Sequence, residues 1–151
     1  MIDDVDRIML VMEAAFDPEY GEAWNRGQIE SALVIGNCHV ILVGPDGNPP
    51  GDDEPAAGFT LSRTGVDEEE LLLFAVHPQF RRRGLGAKML ERLFRDCAER
   101  GVTDIHLEMR RGNPAEGLYR LFGFEPVGHR PNYYRTSSGT RIDAITFRYC
   151  L

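Results

Sequence analysis

Apolar residues recur at Val5, Ile8, Met9, Met12 and Phe16, a helical stripe over residues 4–16 that Asp3 or Asp4 can cap. The segment 17–22, with Pro18 and Gly21, interrupts it, and a second helix is expected over about 25–34. Cys38 to Val43 reads as a strand and Ala57 to Ser62 as its antiparallel partner. Between them, residues 44–55 are rich in Gly, Pro and Asp and are expected to form a mobile hairpin tip. Leu71 to Val76 is continuously apolar, as a central strand covered on both faces would be, and Pro78 stops it. A helix over about 84–100 puts Leu85, Met89, Leu90, Leu93 and Cys97 on one stripe, and Gly101 supplies its stop. Residues 103–110 then alternate, with Ile105, Leu107 and Met109 facing one way and Asp104, His106, Glu108 and Arg110 the other. Asn113 suits an N-cap, Pro114 the first helical position and Glu116 the reciprocal cap of a short helix ending at Gly123. Two last strands, roughly 124–134 and 141–150, are joined through Ser137-Ser138-Gly139. The order predicts one mixed α/β domain spanning the chain, without internal repeats.

The most informative stretch is the strand–turn–helix passage from Leu71 through Arg81-Arg82-Arg83-Gly84-Leu85-Gly86-Ala87-Lys88. A turn of this kind leaves backbone N–H groups unpaired at a helix N-terminus, where the dipole also favours an anion, so a phosphorylated ligand is expected at Arg82 to Ala87. The common nucleotide motifs fail: a dinucleotide fingerprint needs a third glycine where Met89 stands, and a phosphate-binding P-loop needs Lys-Ser/Thr where Lys88 precedes Met89. By itself the turn reads equally well as a solvated basic surface.

At 151 residues, 42% hydrophobic and 27% charged, the chain has the composition of one globular domain with a real core. It contains no apolar run of membrane-spanning length, and its acidic start is unlike a signal peptide. Cys38, Cys97 and Cys150 are far apart and without metal-like spacing, so reduced, mostly buried thiols in a cytoplasmic protein are expected, with no disulfide framework and no metal site. His39, His77, His106 and His129 show no ligand spacing either. The net charge of −7 is uneven: residues 1–70 hold 16 acidic against 3 basic side chains, residues 71–151 hold 8 against 14. That asymmetry suits an anionic ligand on the basic half and a cationic amine or basic peptide on the other. The run Asp67–Glu70 reads as a solvated face. The three arginines could suggest nucleic acid, but an acidic chain argues against it.

Arg-x-x-Gly-x-Gly at Arg81–Gly86 resembles the pyrophosphate turn of the GCN5-related N-acetyltransferases (GNAT). The resemblance grows specific through Leu107-Glu108-Met109-Arg110, then Leu118-Tyr119-Arg120-Leu121-Phe122-Gly123-Phe124, Val127 to Tyr134 and Asp143-Ala144-Ile145. This tail is similar to the bacterial enzymes that acetylate the N-terminal alanine of a small-subunit ribosomal protein. The resemblance covers residues 69–147; the first 60 match loosely.

It implies a single-domain acyl-CoA N-acyltransferase fold over residues 1–151, a mixed central sheet with about four helices. Because the first helix begins almost at once, the family's first strand is expected to be missing or vestigial. It implies acetyl-CoA as cosubstrate and no metal. Acetyl-CoA would be held by the main chain of Phe74, Ala75 and Val76 and by Arg81, Arg82, Arg83, Gly84, Leu85, Gly86 and Ala87. Asn113 would join them, although a one-residue deletion relative to the enterobacterial type, expected in the loop 111–113, bears on that equivalence.

The resemblance makes Glu108 the general base and Tyr119 the general acid. Without it, Glu108 would read as a surface carboxylate paired with Arg110 or Arg111, and Tyr119 as a core aromatic. Trp24, Tyr133 and Tyr134 are expected to line the acceptor groove, although packing is as good a reading for each. The implied partner is a protein N-terminus of basic character, with neither nucleic acid nor membrane. A relative acting on a small amine or a lysine, and a non-catalytic coenzyme A-binding module, remain the alternatives.

Overall fold

The computed structural model describes residues 2–151. Ten elements follow one another: α1 (Asp4–Ala15), α2 (Arg26–Ile35), β1 (Cys38–Val43), β2 (Gly58–Thr64), β3 (Glu68–Val76), α3 (Leu85–Glu99), β4 (Asp104–Arg110), α4 (Glu116–Leu121), β5 (Glu125–Arg135) and β6 (Arg141–Cys150). The strands form one sheet in the order β1-β2-β3-β4-β6-β5, parallel only between β3 and β4. Among the described residues no strand precedes α1, and the Ile2 N–H donates to the Asp52 carbonyl at 3.0 Å.

Two apolar layers sandwich the sheet. On one face Leu85, Met89, Leu90 and Leu93 of α3 and Tyr119 of α4 pack on Leu71, Ile105, Leu107 and Phe147. On the other, Ile8, Val11 and Met12 of α1 and Ile29 of α2 pack on Phe59, Leu61, Leu73 and Ala75. Strand residues two apart should share a face, yet Leu71 belongs to the first layer and Leu73 to the second. The cause is a bulge: Ser62 pairs with Leu71 and Leu61 with Leu73, leaving Leu72 as the extra residue in β3. The apolar run 71–76 is thus a covered central strand, but it changes sides midway.

Several expectations need correction. The strand containing Leu71 begins three residues earlier, and of the acidic run Asp67, Glu68 and Glu70 are exposed while Glu69 turns inward. Glu69 is fully buried, 2.9 Å from an Arg100 guanidinium nitrogen and accepting from Ser62 and from Thr64 Oγ1. A buried carboxylate survives only with such partners. The segment 44–55 is tied down rather than a free tip. The buried Arg7 donates to the carbonyls of Gly51, Asp52 and Glu54 at 2.6–3.0 Å, and Lys88 Nζ donates to the Asp46 carbonyl at 3.2 Å.

Helix α4 starts at Glu116 with no side-chain cap; Asn113 accepts the Ala115 N–H at 2.8 Å, and Glu116 pairs with Arg120 instead of reaching back. All three cysteines are free, but Cys150 is exposed. Burial, with the nearby Glu69 charge, pushes the Cys97 thiol up to about 12, so it stays uncharged.

Candidate active site

The parallel pairing of β3 with β4 runs from Glu68 opposite Asp104 only as far as Leu71 opposite Leu107. Beyond that point the strands part. The His77 N–H donates to the Ala57 carbonyl at 2.8 Å and Ala75 lies opposite Phe59, so these residues turn their main-chain groups toward β2. By alternation Phe74 and Val76 turn theirs into the gap. Ala75, expected to offer free main-chain groups, has them engaged with β2. The Val76 carbonyl accepts from Arg81 Nε at 3.3 Å.

The turn after β3 is built for close backbone approach. Arg82 and Gly84 both take left-handed φ values, 65° and 76°. Alternation of hand gathers successive N–H groups toward one side. Helix α3 follows without a side-chain cap, its first backbone bond running from the Lys88 N–H to the Gly84 carbonyl, so the N–H groups of Leu85, Gly86 and Ala87 precede the ladder. The two glycines do different jobs. Gly84 supplies the conformation, whereas a Cβ on Gly86 would come within 2.8 Å of Leu118 and 3.3 Å of the Phe74 ring. The arginines are less committed to a ligand than the backbone: Arg81 is turned back on the carbonyls of Val76 and Ala15, and Arg83 lies 5.3 Å over the Phe80 ring.

Below the parted strands lies a cavity of about 240 Å³. It gathers six residues singled out from sequence, namely Trp24, Phe74, Glu108, Asn113, Tyr119 and Tyr134, and adds Glu22. Glu108 is on the polar side of β4, as the alternation predicts. Its partners are neither Arg110 nor Arg111 but Thr146 Oγ1, which donates at 3.4 Å, and Arg130 Nε at 3.4 Å. Arg110 instead pairs with Glu22 at 3.1 Å and stacks 3.6 Å from the Tyr20 ring centroid, and Arg111 faces Asp143.

Tyr119 is buried, with Phe74 and Phe124 each in edge contact at 5.6 Å. Burial, followed by the Glu22 charge, holds its phenol well above the usual tyrosine range. Tyr134 is pushed up to about 12, first by burial and then by Glu108 and Glu22. Both phenols therefore keep their protons at neutral pH. Tyr133 is 51% exposed and lies outside the cavity lining, its ring edge-on to Tyr134 at 5.3 Å.

A larger open groove of about 730 Å³ runs from Trp24 and Leu72 along α2 to Asn37 and Arg63. It holds no carboxylate or phenol, whereas the smaller cavity holds both. Among the described residues no group of three or more His, Cys, Asp or Glu could hold a metal, and no helix is long and apolar enough to cross a membrane.

The profile of the acetyltransferase (GNAT) domain matches residues 36–126. The chain belongs to the GNAT acetyltransferase family. Within that family it is 42% identical over 94 residues to the [ribosomal protein bS18]-alanine N-acetyltransferase of Salmonella typhimurium, covering 62% of this chain and 63% of that one. The same-named protein of Escherichia coli is 41% identical over 90 residues, covering 59% and 60%. These alignments span less than two thirds of either relative's length. The crystal structure of the ribosomal-protein-S18-alanine N-acetyltransferase from Escherichia coli superposes with a TM-score of 0.81 at 27% identity, over 99% of this chain and 90% of that one. Arabidopsis thaliana NAA60 in complex with acetyl-CoA shares the fold, with a TM-score of 0.77 at 17% identity over 98% and 93%.

Glu22 is the charged cavity residue the sequence did not single out. It lies in the segment that breaks the α1 pattern, and only its pairing with Arg110, 88 positions away, brings it to the cavity. Trp24 and Glu22 together carry the acidic N-terminal half into the site.

Proposed function

We propose that residues 1–151 act as one acetyl-CoA-dependent N-acetyltransferase domain whose acceptor is the α-amine of a protein N-terminus. The observation that carries this reading is that Glu108 and Tyr119 face one cavity where β3 and β4 part. The acceptor proposed is a ribosomal protein beginning with alanine, by likeness to the Salmonella and E. coli relatives, and a cytoplasmic setting goes with it.

The residues present fit acetyl-CoA. The left-handed turn at Arg82–Gly84 and the uncapped start of α3 offer backbone N–H groups to a pyrophosphate. Main-chain groups of Phe74 and Val76 face the gap, where an extended pantetheine arm would pair with them; Asn113 lines the same space. Acetyl-CoA supplies the activated acetyl thioester. Glu108, directly or through a water, takes the proton that the acceptor nitrogen must lose to attack. An α-amine titrates at about 7.7–8.0, against about 10.4 for lysine, so it asks less of this carboxylate. Tyr119, protonated because it is buried, gives its proton to the departing sulfur. Glu108 passes the first proton on to solvent; nitrogen loses a second as the C–N bond forms and the C–S bond breaks, and that one replaces the proton Tyr119 gives to sulfur, so no covalent enzyme intermediate or cysteine is required. Glu22, Trp24 and Tyr134 border the acceptor side, with carboxylates suited to a cationic, basic peptide.

The test is acetyl transfer from acetyl-CoA to an alanine-starting basic peptide, measured beside free polyamines and a peptide whose only amine is a lysine side chain. The peptide with the free α-amine is expected to win by at least about tenfold in kcat/KM, or about 1.4 kcal/mol of transition-state discrimination. Faster turnover of polyamines or lysine would move the chain to a different acceptor class. Acetyl-CoA binding without transfer to any amine would make it a binding module.

A further inference from the structure

Asp143 lies in β6 outside the cavity, yet it holds two segments that face it. The β5–β6 ladder pairs Arg130 with Ala144 and resumes with Tyr134 opposite Ile142. Between those pairs β5 carries Pro131, Asn132 and Tyr133 against the single residue Asp143, so β5 has two residues too many and bulges. Asn132 takes a left-handed φ of 56°, a conformation that needs a fixed partner to persist in a strand. Asp143 is that partner: its Oδ1 accepts the Asn132 N–H at 2.8 Å. Its Oδ2 bonds His129 Nε2 at 2.8 Å and faces the Arg111 guanidinium at 3.5 Å. The Asp143 carbonyl accepts the Arg111 N–H at 2.8 Å, which anchors the loop leading to Asn113.

The geometry separates this residue from the reacting atoms. Thr146 and Ala144 pair with Glu108 and Arg110, the polar face of β4. Asp143, one residue along, points to the opposite face. Its effect on the site therefore passes through the bulge. A ladder without the bulge would put Asn132 opposite Ile142 and displace Tyr134 by two residues toward the hairpin end. With the bulge, Tyr134 takes the Ile142 register on the Glu108 face and lines the cavity.

We propose that Asp143 is a positioning residue, which pins the β5 bulge so that Tyr134 is delivered to the acceptor side of the cavity and thereby sets acceptor specificity. This rests on reading the cavity as an acetyl-transfer site. The bulge lies in β5 and the turn at Arg82–Gly84 follows β3, and the Asp143 carbonyl that anchors the Asn113 loop survives a side-chain substitution, so acceptor affinity should respond and acetyl-CoA affinity should not.

The experiment compares Asp143→Ala, Asp143→Asn, Tyr134→Ala and the Asp143→Ala/Tyr134→Ala double variant with the full chain. Steady-state kinetics on the alanine-starting peptide are combined with amide hydrogen exchange at Asn132. Asp143→Ala is expected to raise acceptor KM about tenfold, keep acetyl-CoA KM within about twofold, and speed Asn132 exchange about tenfold or more. Asp143→Asn, which keeps an oxygen for the Asn132 N–H, is expected to recover most of the loss. In the Tyr134→Ala background, Asp143→Ala should add less than about twofold, because both act on one contact. Additive effects, equal rises in both KM values, or unchanged Asn132 exchange would overturn the proposal. Should Asp143→Ala fail to fold, Asp143→Asn is read in its place, with a rise of about two- to threefold in acceptor KM expected and no rise overturning it. A wild-type chain inert toward every peptide would sink the functional reading alone; the exchange arm would still decide whether Asp143 pins the bulge.

Discussion

The turn that opens α3 and the cavity beside it are neighbours built in opposite ways. The turn is contiguous: a strand end, left-handed residues at Arg82 and Gly84, and a helix start, all within residues 76–88. The contacts proposed for it are mostly backbone, and two of its three arginines rest on the protein itself. The cavity is assembled from α1's exit, β3, β4, α4 and β5, and the acid and base proposed for it are side chains. A backbone site is therefore robust to side-chain changes but brittle at its glycines. A side-chain site can lose its chemistry to a single oxygen while the fold stays intact.

The sharpest way to break this contrast is Tyr119→Phe. Removing the one phenolic oxygen is expected to lower kcat about 10²-fold or more while acetyl-CoA affinity and thermal unfolding stay close to wild type. Unchanged kcat would return Tyr119 to the role of a core aromatic. Gly86→Ala should do the converse. With Leu118 only 2.8 Å from the new Cβ, overpacking is expected to cost about 1–3 kcal/mol of stability and to raise acetyl-CoA KM more than acceptor KM. Matched effects on the two KM values would mean the two sites are not separable.

The smallest effect is confined to alkaline pH. The Tyr134 phenol, raised to about 12 in the folded protein, titrates near 10 once unfolded. Its contribution is therefore fully present below the unfolded value and drains away as pH rises through the folded one. Between about pH 10 and 12 wild type should lose stability to denaturant faster than Tyr134→Phe, and the two should run in parallel at neutral pH. A neutral-pH divergence in slope would show that another group titrates there.

How much of this was legible in the chain depends on range. Strand β1 and helix α3 are visible because their apolar spacing is local, and Glu108 is placed correctly because Ile105, Leu107 and Met109 alternate around it into the core. The bulge at Leu72 is not visible, since a continuous apolar run reads the same with or without a change of face. Glu69 reads as one of four surface acids, and becomes a buried carboxylate only when Arg100, Ser62 and Thr64 converge on it. The Gly- and Asp-rich segment 44–55 looks free because its anchor, Arg7, is more than 40 positions from the carbonyls it binds and sits in a helix that otherwise reads as ordinary amphipathic.

By itself the sequence determined the order of elements, the strand–turn–helix suited to a phosphate, and the polar placement of Glu108. All three depend on residues within a few positions of one another, where periodicity and glycine conformation act. Only the tertiary structure decided that β3 and β4 part after Leu71 and that Glu22 joins Glu108. It also decided that Asp143 holds the bulge behind Tyr134. Those outcomes depend on where distant strands stop pairing and on which charges meet across the sheet, and no local pattern encodes either.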